Sequence, residues 1–363
     1  NLLPEEADTY AVVIYWEPGA NDNDYNLNNG KTSSDGEPLY IDLGITLTAT
    51  QDTVESDSFD NQYDADAYAD TLRAHRVEEL VAQGYTAVDD IDDFQGMLAD
   101  PEKEKIVFAD DVVVTSETER LSLSQDKTID FNNVTFTRED HTGNGLLIGE
   151  EGSDPHPVNV TIMNANFVSE TTSAAVRVES GSTATFTDCT FTGSSPVQAY
   201  AQEGQKTTLV FENCTFAGEV DLGTASGGGR EYDVVFRNCT FTGSFGNGGA
   251  SVSLDSGAYG SVTLEDCDID ITYRGNAVRG INIGSYYGSN DNQEITVTLR
   301  NTNITLTKDP AASGGLYGPN PGDPVYINSK DITNLVIEDG CTFVRDGQTA
   351  TYNAADQSWS YGA

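Results

Sequence analysis

Positive charge is what this sequence most lacks. Only 18 Lys and Arg stand against 59 Asp and Glu, a formal charge of −41 at pH 7. Such a surface repels phosphate backbones and anionic headgroups, which excludes nucleic acid as an expected partner. No stretch approaches the ~20 apolar residues of a membrane-spanning helix, so helical membrane insertion is not expected either. Histidine occurs three times and never recurs beside the cysteines, which argues against a His–Cys metal centre. The chain opens at Asn1 without methionine or an apolar signal core, as expected of a mature or trimmed form.

What is abundant is one phrase, repeated eight times between Lys127 and Phe343: TIDFNNVTF, VTIMNANF, ATFTDCTF, LVFENCTF, VVFRNCTF, VTLEDCDI, VTLRNTNI and LVIEDGCTF. Each reads as an alternating strand, a two-residue break and a second alternating strand. Before the break stand Phe131, Ile162, Phe186, Phe211, Phe236, Leu264, Leu299 and Ile337. After it stand Phe136, Phe167, Phe191, Phe216, Phe241, Ile269, Ile304 and Phe343. The break ends on Asn133, Asn164, Asp188, Asn213, Asn238, Asp266, Asn301 and Asp339. Asn and Asp are the non-glycine residues that best tolerate a left-handed backbone, so this is a turn column.

Successive copies lie 24 to 39 residues apart, which is short for a strand–helix–strand unit and suits one coil of a solenoid. A third strand-like segment sits in each gap, clearest as GLLIGE, AAVRVES, VQAYAQ, ASVSLDS, VRGINIGS and PVYINSK. These residues resemble the right-handed parallel β-helix shared by pectate-lyase-like proteins and many bacterial surface proteins, from about Ile106 to Phe343. The resemblance implies an all-β fold, a right-handed three-strand-per-coil parallel β-helix of about eight coils. It does not imply one activity, because this fold carries lyases, hydrolases, adhesins and passive stalks.

Four of the five cysteines, Cys189, Cys214, Cys239 and Cys267, share the first inward position after the turn. Val134, Ala165 and Thr302 fill it in other copies, and Cys341 joins if Gly340 is a one-residue insertion. Stacked in register, parallel side chains suit buried free thiols better than the crossed geometry of a disulfide.

Around the solenoid the expected divisions are an acidic β segment over residues 1–63, a helical linker and cap over 64–104, the β-helix over 105–344 and a C-terminal cap over 345–363. In the first segment, residues 10–16 and 39–50 are candidate strands, and LGITLTATQDTVESDSFDNQYD is similar to secreted camelysin and TasA-like β-domains. Asp22, Asp24 and Asn26 match the first half of an EF-hand loop, a candidate Ca²⁺ site, although Leu27 replaces the required glycine. Residues 64–83 and 91–98 have helical spacing, with Tyr68, Leu72, Val77, Leu80 and Val81 near one face, placed to cover the open apolar end of the first coil.

Long spacers put Tyr286, Tyr287 and Tyr317, with Tyr259 and Tyr273, on loops or outer faces. Tyr273, Tyr286, Tyr287 and Tyr317 are the candidate glycan-binding residues, since such insertions commonly carry binding. The Arg-containing and Gly-His-Gly signatures of pectate lyases and polygalacturonases are absent. The one candidate acid pair is Asp268 and Asp270, outward and beside Arg274 and Arg279. The sequence therefore points to an exported, non-enzymatic surface or matrix protein without a certain cofactor, Ca²⁺ being the candidate. It would act as an adhesin for a glycan or host surface, or as a fibre subunit that self-associates through Leu2 to Tyr15 or the coil ends. The competing reading is a polysaccharide lyase or glycoside hydrolase acting on acidic glycans.

Overall fold

Six of the eight repeated phrases fold as two strands hinged on one left-handed Asn or Asp. Asn164, Asp188, Asn213, Asn238, Asp266 and Asn301 have φ between 44° and 55°, a conformation that costs other L-residues roughly 1–2 kcal/mol. Their side chains then bond from coil to coil. The Asn213 amide donates to Asp188 at 3.0 Å, Asn238 to Asn213 at 2.8 Å and Asn301 to Asp266 at 2.6 Å.

The computed structural model describes residues 65–115, 121–139, 145–149, 156–179, 181–201, 204–223, 230–245, 249–254, 258–275, 277–283, 294–310, 322–327 and 333–362. The chain divides into two units, Asn1–Tyr68 and Ala69–Ala363. The candidate strands at 10–16 and 39–50, the camelysin-like stretch and Leu2 to Tyr15 lie outside the described residues.

The second unit is a three-sheet parallel β-helix. Strands before the turn form a ten-stranded sheet that ends at Thr333–Ile337, and strands after the turn form an eleven-stranded one. The gap segments form a third sheet of eight strands, from Leu121–Leu123 to Val325–Ile327. That makes eight complete coils, and a ninth holds only its first two strands. Register is strict, with Phe186 beside Phe211 and Phe211 beside Phe236.

Two phrases depart from the expected alignment. In the first, Ile129 pairs with Ile162, so Phe131 is not in that column. The turn there is longer, Asn132 and Asn133 are both left-handed, and Phe131 stacks on Phe108 at 4.4 Å. In the last, Gly340 rather than Asp339 takes the left-handed position, at φ 84°. This turn therefore holds the expected one-residue insertion, with Asp339 as the extra residue, and Cys341 stands opposite Thr302 because Thr342 pairs with Asn303.

The core follows from that register. Phe167, Phe191, Phe216 and Phe241 stack at 4.7–5.3 Å, and Phe186, Phe211 and Phe236 at 4.9–5.1 Å. The two stacks meet edge to face, an arrangement that adds about 0.5–1.5 kcal/mol per pair beyond area burial. All five cysteines are free, and four are buried. Each buried thiol reaches the carbonyl two residues back and one on the preceding coil, as Cys239 does to Arg237 and Phe211. The Thr302 hydroxyl makes the same pair of bonds, to Arg300 at 2.9 Å and Leu264 at 3.1 Å.

The first coil is covered by helices. On helix α1 (Ala65–Ala82) Val77 and Leu80 are half-buried and Val81 is 46% exposed, while the side chains of Tyr68 and Leu72 lie outside the described ones. The helix is held at the flank, where Arg76 meets the buried Asp130 carboxylate at 2.8 Å and Asn132 donates to the Arg73 carbonyl at 3.0 Å. The plug is helix α2 (Ile91–Leu98), capped by Asp90, with Phe94 edge-on to Phe108 at 4.8 Å. His75 is on the surface, 3.4 Å from Glu79. At the other end an antiparallel hairpin, Gln348–Asn353 with Ser358–Tyr361, folds over the last coil. Its Trp359 packs on Phe343 at 4.9 Å and donates to the Val325 carbonyl at 2.9 Å.

Two outcomes test this account. Asn213→Ala loses the turn preference and both ladder bonds, whereas Asn213→Gly keeps left-handed freedom. Chemical denaturation is expected to rank the wild type above Gly and Gly above Ala, with Ala losing roughly 1–2 kcal/mol from backbone strain alone. Equal midpoints for Gly and Ala would remove the turn from the account. The second outcome concerns the thiols. Contact with Cys214 and then burial push the Cys239 thiol up to about 12, and Cys214 and Cys267 are raised for the same reasons. The unfolded chain would lose these protons from about pH 8.5. The thiol contribution is therefore complete below that pH and is lost as the pH climbs toward the folded values. Melting temperature should fall with alkaline pH less steeply in Cys239→Thr than in the wild type.

Candidate functional site

A polar track runs along the outer face of the third sheet. Alternation along each short strand turns the middle residue outward, and the parallel register stacks Arg177, Gln198, Asp221, Ser253, Asn282 and Tyr326 on successive coils. Neighbouring coils put these side chains about 4.8 Å apart. The Arg279 guanidinium lies 3.7 Å over the Tyr326 ring and donates to Asn282 at 2.9 Å, and Asn282 donates to Ser253 at 3.1 Å. Toward the first coils Arg177 lies 3.9 Å over Tyr200 and pairs with Glu179, with Arg230 at 5.4 Å from the same ring. Burial pulls the Arg279 guanidinium below its ordinary value, with Tyr326 and Asp323 acting the other way.

Stacking on tyrosine and hydrogen bonding hold these guanidinium planes in place, and a cation over an aromatic face is worth about 0.5–2 kcal/mol. The track thus offers fixed planar guanidinium donors and half-buried tyrosine rings, with the buried Asn282 amide and Ser253 hydroxyl bonded together as their support. That set suits a hydroxyl-rich ligand lying along the coil axis.

The outer face of the sheet before the turn is spent internally. Glu212, Arg237, Glu265, Arg300 and Glu338 alternate in charge on successive coils. Arg237 reaches Glu212 at 2.9 Å, and Arg300 reaches Glu265 at 3.0 Å and Glu338 at 2.7 Å. The mixed-charge column is a cross-coil ion-pair ladder, and pairs so exposed contribute little stability each.

The expected site residues are dispersed. Tyr273 is not on an outer face: it is 1% exposed, and its hydroxyl donates to Asp346 at 2.5 Å. The strand Asp268–Tyr273 runs one alternation further than its phrase, which turns Tyr273 inward beneath the last coils. Tyr259 is half-buried against the core. Tyr286, Tyr287 and Tyr317 lie outside the described residues, as do Asp22, Asp24 and Asn26. Asp268 and Asp270 face outward as expected, but among the described residues no base stands over them. Arg274 pairs with Asp309 at 2.7 Å, Arg279 belongs to the third sheet, and Asp268 accepts from Asn303 at 2.7 Å. Among the described residues no group of three or more His, Cys, Asp or Glu is placed to hold a metal ion.

Five of the six track residues were present in the gap segments AAVRVES, VQAYAQ, ASVSLDS, VRGINIGS and PVYINSK, Asp221 being the exception. What those segments lack is a common length, so their mutual register cannot be counted along the chain.

Comparison with known proteins agrees with the architecture. The family described as "Right handed beta helix region" matches residues 121–304. No curated protein matches the chain. A solved structure titled "L. reuters 100-23 SRRP" is 12% identical, with a TM-score of 0.31, over 71% of this chain and 95% of that one.

Proposed function

This chain belongs to the right-handed β-helix family, and we propose that it is an exported, non-catalytic surface protein that binds carbohydrate along the third-sheet track and its adjoining loops. The family alone does not choose, because the fold serves enzymes and non-enzymes alike. The observation that carries the reading is the Arg279 guanidinium laid on the half-buried Tyr326 ring and fixed there by the buried Asn282 and Ser253 side chains. In sequence, one long spacer follows Ile283 and another precedes Gly322, and they contain Tyr286, Tyr287 and Tyr317. The acids Asp268 and Asp270 lie on a different sheet and support no reaction with this group.

The ends favour display over a fibre of stacked coils. Helix α2 covers the first coil and the Trp359 hairpin covers much of the last, so most core edge is closed to another copy. Acidity fits the same role, since mutual repulsion keeps such a protein dispersed outside the cell.

Glycan-array binding by the purified chain, with and without millimolar Ca²⁺, tests the proposal. The wild type should bind a defined subset of glycans and leave them intact. Tyr326→Ala should weaken that binding about tenfold or more, as loss of an aromatic anchor does elsewhere, while circular dichroism shows the β-helix retained. Shortened polymer products would instead make the protein an enzyme. Filaments in negative stain, lost on deletion of residues 2–15, would make it a fibre subunit.

A further inference from the structure

The C-terminal hairpin extends one of the three sheets by strand pairing and meets the other two through side-chain bonds. It continues the sheet after the turn directly, through Val344 and Arg345 pairing with Thr349 and Gln348. It reaches the third sheet through the Trp359 bond to the Val325 carbonyl. On the sheet before the turn the Gln357 amide donates to the Thr333 carbonyl at 3.2 Å, and among the described residues no strand pairs with that edge. The Glu338 N–H turns back to Leu299 on the preceding coil. Backbone groups alternate along a strand, so those of Leu335 and Ile337 face the same open side as the Thr333 carbonyl.

Between this edge and the hairpin lies a cleft of 810 Å³, lined by Leu335, Ile337, Cys341 and Phe343 on the coil side and by Ala350 and Tyr352 on the hairpin side. Its floor is the end of the apolar core, and its edge is a row of strand hydrogen-bonding groups. The shape is that of one missing rung. Two exposed carboxylates outside the ion-pair ladder, Asp339 and Asp356, follow the edge strand or sit at the hairpin turn.

We propose that this cleft accepts an extended segment of a partner protein, with alternating apolar residues and basic flanks, as an added strand on Thr333–Ile337. Main-chain bonds to Leu335 and Ile337 supply affinity, and alternate side chains packing on Phe343 and Ala350 supply specificity. The charge argues for such a partner over a second copy, because two chains of −41 repel one another.

The protein carries its own reporter. Cys341 lines the cleft and is half-buried, whereas Cys189, Cys214, Cys239 and Cys267 are each 1% exposed. In the full chain, iodoacetamide should therefore modify Cys341 first, as read by peptide mass spectrometry. The probe is a synthetic peptide of alternating valine and threonine flanked by lysines. At a peptide concentration about tenfold above its Kd, Cys341 alkylation should slow about tenfold by occupancy, and added salt should weaken the protection. The same peptide N-methylated at alternate positions should not protect, nor should the wild-type peptide protect Ala354→Trp, which crowds the mouth from an exposed turn. Equal protection by the methylated peptide would make the cleft a plain apolar pocket and overturn the proposal. Protection that rises with protein concentration alone would assign the cleft to a second copy. No protection by any peptide would refute strand addition there.

Discussion

Everything in this molecule depends on the left-handed turn between the first two strands of each coil. It sets the angle between two sheets, and its side-chain amides bond from one coil to the next. Once those turns are stacked, every position before and after them is stacked as well. The phenylalanine stacks, the thiol column and the Glu–Arg ladder are consequences of one repeated constraint, not separate devices. The Thr302 hydroxyl shows how strongly the position dictates chemistry, since it makes the two carbonyl bonds that the thiols make in other coils.

A solenoid gains its core from neighbours, so its two ends are its weak points. The two ends are treated differently. At the first coil an eight-residue helix places Phe94 on the core, while the longer α1 is tied to the flank through Asp130 and Asn132. At the last coil a hairpin crosses over but meets the edge of the sheet before the turn through a side-chain bond to the Thr333 carbonyl. The sheet faces divide their labour too. Before the turn, charge is neutralised along the column. On the third sheet, guanidinium groups lie on tyrosine rings.

Much of the fold was legible in the sequence because the repeat is local. Alternation, an Asn or Asp at the break and a spacing too short for a helix define the coil without any distant contact. The alignment slipped where the turn changed length: Phe131 was placed in a column that belongs to Ile129, and Asp339 in one that belongs to Gly340. The candidate site was less legible. Tyr273 looked like a loop residue but continues its strand and turns inward.

By itself the sequence determined the coil: its two strands, its turn chemistry, its inward thiols and its acidity, all of which repeat at short range. Only the tertiary structure decided which side chains from different coils meet. Spacers of unequal length separate the third strands, so their register comes from pairing with neighbouring coils rather than from counting residues. That pairing brings Arg279 onto Tyr326 across 47 positions of sequence and leaves the edge of Thr333–Ile337 without a partner strand among the described residues.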